Sequence, residues 1–530
     1  MLGAAATVAC LVATRRGVGF ETDSAAYYGA ASNFAHGRGV STPFAFLSAY
    51  PLPEAVQRAH AVPLIDFPPL YPAVLGGLSA VGVPLATAAR VLGALLLGVN
   101  VVLVGLLFLE TTRNRARPLG LVVAAAMVVG PTSPTYASAG RVNWLTIHGT
   151  VLSEPLFVTF ALAGLLLAAR ALRTDSTRIL LAAAACGGLS LLVRNVGVAV
   201  VAALLLTVLI RGDPPRLRRA AGVLAIGLAP AVAWGLWLRV VDHARSGRRF
   251  DPHAVTGTAG DLLGVFERWV VPAGWPDALR HAGVGLLVAV VATLAVAQGR
   301  SRRLRTTPQL LLGAYTVVFV LVVVATRRFF DVNAVDERIL SPVQPAVFVL
   351  VAAWSWSGLH MIVRSRRAPT RAMTAVVLLL IAVSVRPIAS FVARGFPERE
   401  PGAVASVVAA LPGDRVVVSD NPGEIWLRTG RSSVELPHRL NAFTLEPDPA
   451  YRRDLAALVR LARRRPTVVV FAGTLSVGMF PSLRDLSAAT TVRDVRVLDD
   501  GVVARLGRPR APRATGPTGC RRRGAAGPCP

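Results

Sequence analysis

The chain contains no lysine: its 57 basic residues are all arginine, set against 29 acidic residues for a formal net charge of +28. A complete preference for Arg is the codon signature of a high-GC genome and assigns no mechanism. Charge is otherwise scarce. Only 16% of the 530 residues are charged and 53% are hydrophobic, with a mean hydropathy of +0.55, which excludes an ordinary soluble protein. A surplus of this sign in a soluble domain would point to nucleic acid, but no basic, aromatic-interleaved domain is present, so no nucleic-acid partner is expected. The four cysteines, Cys10, Cys186, Cys520 and Cys529, lack metal-ligand spacing. Cys10 and Cys186 fall in apolar spans as small core residues, and Cys520 and Cys529 can pair only outside the cytoplasm. No internal repeat stands out, which opposes the transporter folds built from paired halves.

What is present is a rhythm. Arginines come in bunches between long apolar runs, at 113–117, 170–178, 211–219, 300–305 and 364–371. Short Arg-rich loops stay on the cytoplasmic side, so every second loop is inside and the others are outside. Runs of about 20 residues, long enough to span a bilayer, fall near 85–109, 119–134, 153–170, 179–193, 195–211, 220–241, 283–299, 309–326, 341–360 and 373–390. The run Leu2 to Ala13 has the length of a signal-peptide core, but Arg15 and Arg16 follow it and no small-residue cleavage site is clear, so it reads as a membrane helix. The expectation is an α-helical polytopic membrane protein of about eleven transmembrane helices, N-terminus cytoplasmic and C-terminus outside. The short apolar segment Leu70–Val83, with Pro72, is expected to lie along the interface or to re-enter.

The organisation follows. Residues 1–390 form a transmembrane domain whose first outside loop is 15–69, with further outside loops at 242–282 and 327–340. Residues 391–509 read as a small extracytoplasmic α/β domain: helix Ala403–Leu411 precedes strand Arg415–Ser419, helix Arg452–Arg464 precedes strand Thr467–Phe471, and Val492–Leu498 and Val502–Leu506 form a hairpin around Asp499-Asp500-Gly501. Residues 510–530, rich in Arg, Pro, Gly and Ala, read as a disordered basic tail.

Chemistry-bearing residues gather in the outside loops. Glu21-Thr22-Asp23 follows the first span, with Tyr27 and Tyr28 close behind. Two carboxylates flanking one residue suit a divalent ion or proton acceptance from a hydroxyl, and equally a solvated loop start. The same loop ends in Asp66-Phe67-Pro68-Pro69-Leu70-Tyr71-Pro72, where prolines deny the backbone a ladder and aromatics suit interfacial depth. Ser153-Glu154-Pro155 opens a membrane helix. Glu154 there complements the helix dipole, or orients a cation or the acceptor. Arg194 stands alone at an outside turn, where orientation rules disfavour it, so it either snorkels or has a partner. Asp336-Glu337-Arg338 opens a late span. Trp144 and His148 fall in an expected outside loop, suited to sugar stacking or interfacial anchoring. His243, Asp251, His253, Trp269 and Trp275 lie in 242–282 with no metal-demanding spacing. Ser419-Asp420-Asn421-Pro422-Gly423-Glu424 follows a strand, a place that holds ligands in α/β layers, and is assigned to acceptor recognition or packing.

An acidic motif after the first helix, a long first outside loop, the Pro68-Pro69-Leu70-Tyr71-Pro72 stretch, Ser153 to Phe157, Gly188 to Gly197 and Asp336 to Pro342, in that order, resemble the C-type polytopic glycosyltransferases. They are most similar to family 39, the protein O-mannosyltransferase-like group of bacterial members. The resemblance covers about residues 1–390 and implies the C-type glycosyltransferase fold. It also implies transfer of a sugar, hexosyl or pentosyl, from a polyprenyl-phosphate donor to a glycan, lipid or protein acceptor on the outer face of a bacterial plasma membrane. On it Asp23 is the base, with Glu21 sharing that role or helping to hold a metal; a divalent metal is possible and no other cofactor is called for. Arg338 and Arg194 take the donor phosphate, and Tyr27, Tyr28, Asp66, Tyr71 and Glu154 contact acceptor or sugar. In several relatives a basic residue precedes the proline stretch, where this chain has Asp66. A lipid or sugar transporter and a non-catalytic scaffold of the same fold are the alternative readings.

Overall fold

The computed structural model describes residues 1–47, 50–128, 144–211, 215–241, 255–270, 308–330, 335–362, 368–398, 402–441, 446–472 and 478–507, together with residues 278, 281 and 285. Nearly all of the expected span 283–299, most of the loop 242–282 with His243, Asp251, His253 and Trp275, and the tail 510–530 with Cys520 and Cys529 lie outside the described residues.

Helices dominate the first two thirds of the chain. They are α1 (Leu2–Ala13), α2 (Thr22–Ala35), α3 (Leu52–Arg58), α4 (Leu70–Ala80), α5 (Leu85–Thr111), α6 (Arg117–Val128), α7 (Trp144–Gly149), α8 (Glu154–Thr174), α9 (Thr177–Val193), α10 (Val198–Arg211), α11 (Arg216–Val241) and α12 (Val255–Val270), followed by helices over Pro308–Phe330, Gln344–Ile362 and Ala368–Arg394. Four of the described helices are long and apolar enough to cross a membrane: Leu85–Thr111, Glu154–Thr174, Arg216–Val241 and Pro308–Arg327. The protein is a multi-pass membrane protein. The solvent around α5 shows in its pattern: Gly93, Leu97, Asn100, Val101, Val104 and Phe108 are buried on one face. Val91, Leu95, Val99 and Val102 stand exposed on the other. An exposed face of that composition is stable only against lipid.

Small residues let these helices approach closely. A Cβ on Gly98 of α5 would lie 2.2 Å from Thr7 Oγ1 and 2.7 Å from the Gly3 carbonyl of α1, a contact that admits glycine and little else. At the C-terminal end of α5, Glu110 is buried and holds Arg173 of α8 at 3.1 Å, with Arg170 farther off at 3.9 Å.

The C-terminal region forms a five-stranded sheet in the order β4-β3-β5-β7-β6, from strands β3 (Val416–Ser419), β4 (Val434–Glu435), β5 (Thr467–Phe471), β6 (Thr491–Leu498) and β7 (Gly501–Gly507). Strand β3 runs parallel to β4 and β5, while β7 is antiparallel to β5 and β6. Alternation does the sorting: Val417, Val468 and Val470 face Val404, Val408 and Ile425, whereas Val418 and Val469 face Leu458 and the first-loop residues Ala45, Tyr50 and Leu52. The expected hairpin and both helix-then-strand pairs are found, with ends shifted by one or two residues.

The first loop is not free-standing. It carries its own two-stranded ladder, β1 (Ser41–Thr42) with β2 (Val62–Pro63), and then joins the C-terminal sheet. Ala45 bridges Val434 in parallel, donating to the Ser433 carbonyl at 3.1 Å and accepting from Glu435 N–H at 2.9 Å. Glu435 Oε2 accepts from Leu47 N–H at 2.8 Å. The first loop and the C-terminal sheet therefore lie on the same side of the helices as one packed layer.

Candidate active site

Two chain segments far apart in sequence are pinned beside each other. Gly19 and Thr150 form a parallel bridge, with Gly19 N–H donating to Gly149 O at 2.9 Å and Val151 N–H donating to Gly19 O at 3.0 Å. Glycine is required here: a Cβ at Gly19 would sit 2.5 Å from both the Phe396 ring and Thr150 Oγ1. Just beyond the bridge both segments start a helix. Glu21 is the N-cap of α2 and forms a capping box with Ser24, whose Oγ accepts from Glu21 N–H at 2.8 Å and donates to Val151 O at 2.7 Å. Asp23 is thereby held in the first turn of α2, a favourable place for a carboxylate.

Opposite it, Glu154 opens α8 with Pro155 behind it, and Glu154 is completely buried. An ionised carboxylate taken out of water needs partners. It has two: Arg194 Nη1 and Arg338 Nε each reach Glu154 Oε1 at 2.8 Å. Arg338 also donates through Nη2 to Asp23 Oδ2. The lone Arg194 that orientation rules disfavoured thus has its partner. It sits where α9 ends in extended backbone, in a turn closed by Gly197 N–H to Arg194 O at 2.8 Å. Arg338 is presented by a short helix, Glu337–Leu340, which Asp336 caps by accepting from Ile339 N–H at 2.8 Å.

Ser153, at the N-cap of α8, makes no cap hydrogen bond. Its Oγ instead accepts from Arg194 Nη1 at 3.1 Å and shares a 2.9 Å hydrogen bond with Tyr27 OH. Tyr27 is buried, with Tyr71 edge-on at 5.2 Å between ring centroids and Phe67 at 4.9 Å. Burial holds the Tyr27 phenol protonated, well above its ordinary range; Arg194 opposes this while Asp23 and Glu154 add to it. The phenol is a hydrogen-bonding post, not a base.

The expected residues divide. Asp23, Glu154, Arg194 and Arg338 come together, Tyr27 and Tyr71 support them, and Glu21 caps α2 beside them. Tyr28 turns away, packing on Phe20 at 5.5 Å and on Trp426 of the C-terminal domain at 6.3 Å. Asp66 lies in an exposed bend ahead of α4. Trp144 and His148, read as an outside loop, are buried in α7 instead. Trp144 Nε1 donates to Gln344 Oε1 at 2.8 Å, His148 Nδ1 meets Trp144 O at 2.7 Å, and its Nε2 meets Asn100 Nδ2 at 3.0 Å. The sequence assigns Ser153 no role, since a serine just ahead of a helix has the ordinary chemistry of a cap.

Among the described residues no group of three His, Cys, Asp or Glu side chains is placed to hold a metal. Asp23 and Glu154 are already held by guanidinium groups, and a further cation between Arg194 and Arg338 would be repelled. These residues do not fit a metal at this place.

No family model matches the chain, and no curated protein sequence does. Solved structures do. ArnT from Cupriavidus metallidurans, crystallised bound to undecaprenyl phosphate, is similar with a TM-score of 0.57 at 15% identity, over 95% of this chain and 97% of that one. Its apo crystal structure gives 0.55 at 14% identity with the same coverage. The apo oligosaccharyltransferase of Archaeoglobus fulgidus gives 0.50 at 12% identity, over 89% of this chain and 69% of that one. At such identities the likeness is one of fold, and the fold is the C-type glycosyltransferase fold that the ordered motifs imply.

Proposed function

We propose that this chain is a membrane glycosyltransferase that moves a hexosyl or pentosyl group from a polyprenyl-phosphate donor to an acceptor on the extracytoplasmic face of a bacterial plasma membrane, with the N-terminus cytoplasmic. The observation that carries the reading is the balanced cluster of Asp23, Arg338, Glu154 and Arg194, two guanidinium groups against two carboxylates, beside helices that cross the membrane. The ArnT structure of like fold holds undecaprenyl phosphate, which favours the same donor class here.

Without donor the cluster neutralises itself. A donor phosphate brings further negative charge and competes for both guanidinium groups, which bind phosphate oxygens well. As Arg338 turns to the phosphate it releases Asp23. That carboxylate then accepts the proton of the acceptor hydroxyl or amine while the acceptor atom attacks the anomeric carbon. The bond from that carbon to the phosphate oxygen breaks, the configuration inverts, and polyprenyl phosphate leaves with its new charge held by Arg338 and Arg194. Glu154, buried, anchors Arg194 and the Nε of Arg338 while the other end of Arg338 changes partner, and Ser153 and Tyr27 fix Arg194.

The test is transfer of radiolabelled sugar from a panel of polyprenyl-phosphate donors to endogenous acceptors, in membranes carrying wild type or Asp23→Asn at matched expression. Labelling by wild type alone is the expected result. Equal labelling by both, above an empty-membrane control, removes Asp23 from the reaction, and no labelling from any donor overturns the assignment.

A further inference from the structure

At the far end of α2 from Asp23 a cavity opens. It has a volume of about 440 Å³ and lies between the first loop and the C-terminal sheet. At about 1.5 Å of rise per residue, its His36 wall is roughly 20 Å along the helix from Asp23, so it is a separate place. It also lies at the N-terminal ends of β3 and β5, opposite the strand ends where the sequence suggested ligand binding. Those C-terminal ends are spent on packing: a Cβ on Gly423 would lie 2.7 Å from Ala25 Cβ of α2, and Asp420 Oδ1 accepts from Ala472 N–H at 2.7 Å.

The lining is cationic. Arg38, Arg415, Arg431 and Arg465 face one carboxylate, Asp414, among the lining residues. Arg431 is committed, donating to the carbonyls of Leu411 and of Pro412, the latter at 2.7 Å. The others are not. Arg38 and Arg465 are exposed; Arg38 has a 3.5 Å contact to Asn33 Oδ1. Arg415 stands 4.0 Å from Asp414, and its buried Nε has no hydrogen-bond partner. A buried guanidinium nitrogen left unpaired calls for an acceptor. Trp426 adds a half-buried aromatic wall, supported from behind by Phe44 at 6.1 Å. Guanidinium groups beside an indole suit a molecule that is both anionic and ring-shaped with apolar faces. Trp426 also touches Tyr28, which lies within two turns of Asp23 on α2.

We propose that this groove binds an anionic saccharide, a phosphate- or carboxylate-bearing stretch of the acceptor, and holds it along α2 with its receiving end toward Asp23. This rests on the transferase reading and adds to it that the acceptor is a charged glycan. The indole and the breadth of the groove favour a sugar strand over a bare ion, and Arg415, Arg465 and Arg38 supply its counter-charge.

The test measures binding to the full-length protein in lipid nanodiscs by thermophoresis, with hyaluronan tetrasaccharide as the anionic probe, chitotetraose as the neutral one and inorganic phosphate as competitor. The anionic probe is expected to bind about ten-fold or more tightly than the neutral one. The double variant Arg38→Gln/Arg465→Gln should lose about ten-fold, while Asp414→Asn, which removes the one lining carboxylate, should gain about two-fold. Equal affinity for the two tetrasaccharides, unchanged affinity in both variants, or full displacement by equimolar phosphate would overturn the proposal. No donor takes part in this measurement. A groove that fails leaves the transferase reading standing, and a chain that binds the probe yet transfers no sugar fails that reading alone.

Discussion

Gly19 and Thr150 are paired in a parallel bridge, and each stands four residues before a carboxylate of the candidate site, Asp23 and Glu154. A short backbone pairing thus sets the distance between two acids that are 131 positions apart in the chain. Arg338 then spans them. The bridge orders the site without any ligand, which is what the proposed placing of Asp23 as base against Arg338 and Arg194 requires.

Glu154 predicts a stability cost with a direction that a double variant checks. Arg194→Met leaves a buried carboxylate with one cation fewer, and the expected loss is about 3–5 kcal/mol. Adding Glu154→Gln removes the stranded charge, so the double variant should be more stable than the single one. Chemical unfolding in detergent reads this, and a double variant less stable than Arg194→Met would show that Glu154 is not charge-paired by Arg194.

Gly93 marks where α5 meets α7. A Cβ there would lie 2.1 Å from the His148 carbonyl oxygen, a backbone atom that cannot step aside. Gly93→Ala should therefore destabilise by about 1–3 kcal/mol, whereas Gly77→Ala, in α4 with open space around it, should be neutral or gain up to about 1 kcal/mol from its helical position. Melting temperatures of the two variants side by side decide it; similar values would mean that the α5–α7 approach is looser than described.

His438 predicts a pH dependence of the layer formed by the first loop and the C-terminal sheet. Its Nε2 lies 3.1 Å from Glu435 Oε1, and Glu435 in turn holds Leu47 of the first loop. Burial alone would push the imidazole pKa down, but Glu435, with help from Asp448 and a backbone contact, raises it above its ordinary 6.5. A raised folded-state pKa means that the stabilisation is complete below 6.5 and is lost as pH climbs through the higher folded value. The gap in melting temperature between wild type and His438→Gln should accordingly be widest near pH 5.5 and narrow as pH rises above 6.5. A gap that widens with pH would reverse the assignment.

Much of this was legible in the chain. Arginine spacing and apolar length located the helices, because lipid leaves a segment few ways to satisfy its backbone. Alternation located β5 and the β6–β7 hairpin. The motifs carrying Asp23, Glu154, Arg194 and Arg338 were legible by their order along the chain, and the structure brings these four side chains together. What stayed hidden has physical reasons. The Gly19–Thr150 and Ala45–Val434 bridges are made by backbone atoms and leave no side-chain signature. Trp144 and His148 look like loop residues, yet the hydrogen bond that Trp144 donates to Gln344 and the one His148 shares with Asn100 let them sit in the core. Of the two roles read for Ser419 to Glu424, acceptor recognition or packing, the structure shows packing at Gly423, which supplies the gap into which α2 packs.

The most direct test of the central claim separates binding from transfer at Asp23 and Arg338. In nanodiscs, undecaprenyl phosphate should bind Asp23→Asn at least as tightly as wild type, since the carboxylate that competes for Arg338 is gone. Arg338→Gln should bind about ten-fold or more weakly, and neither variant should transfer sugar from a donor that wild type uses. Transfer by Asp23→Asn at the wild-type rate, or undiminished binding by Arg338→Gln, would contradict the assignment of base and phosphate clamp.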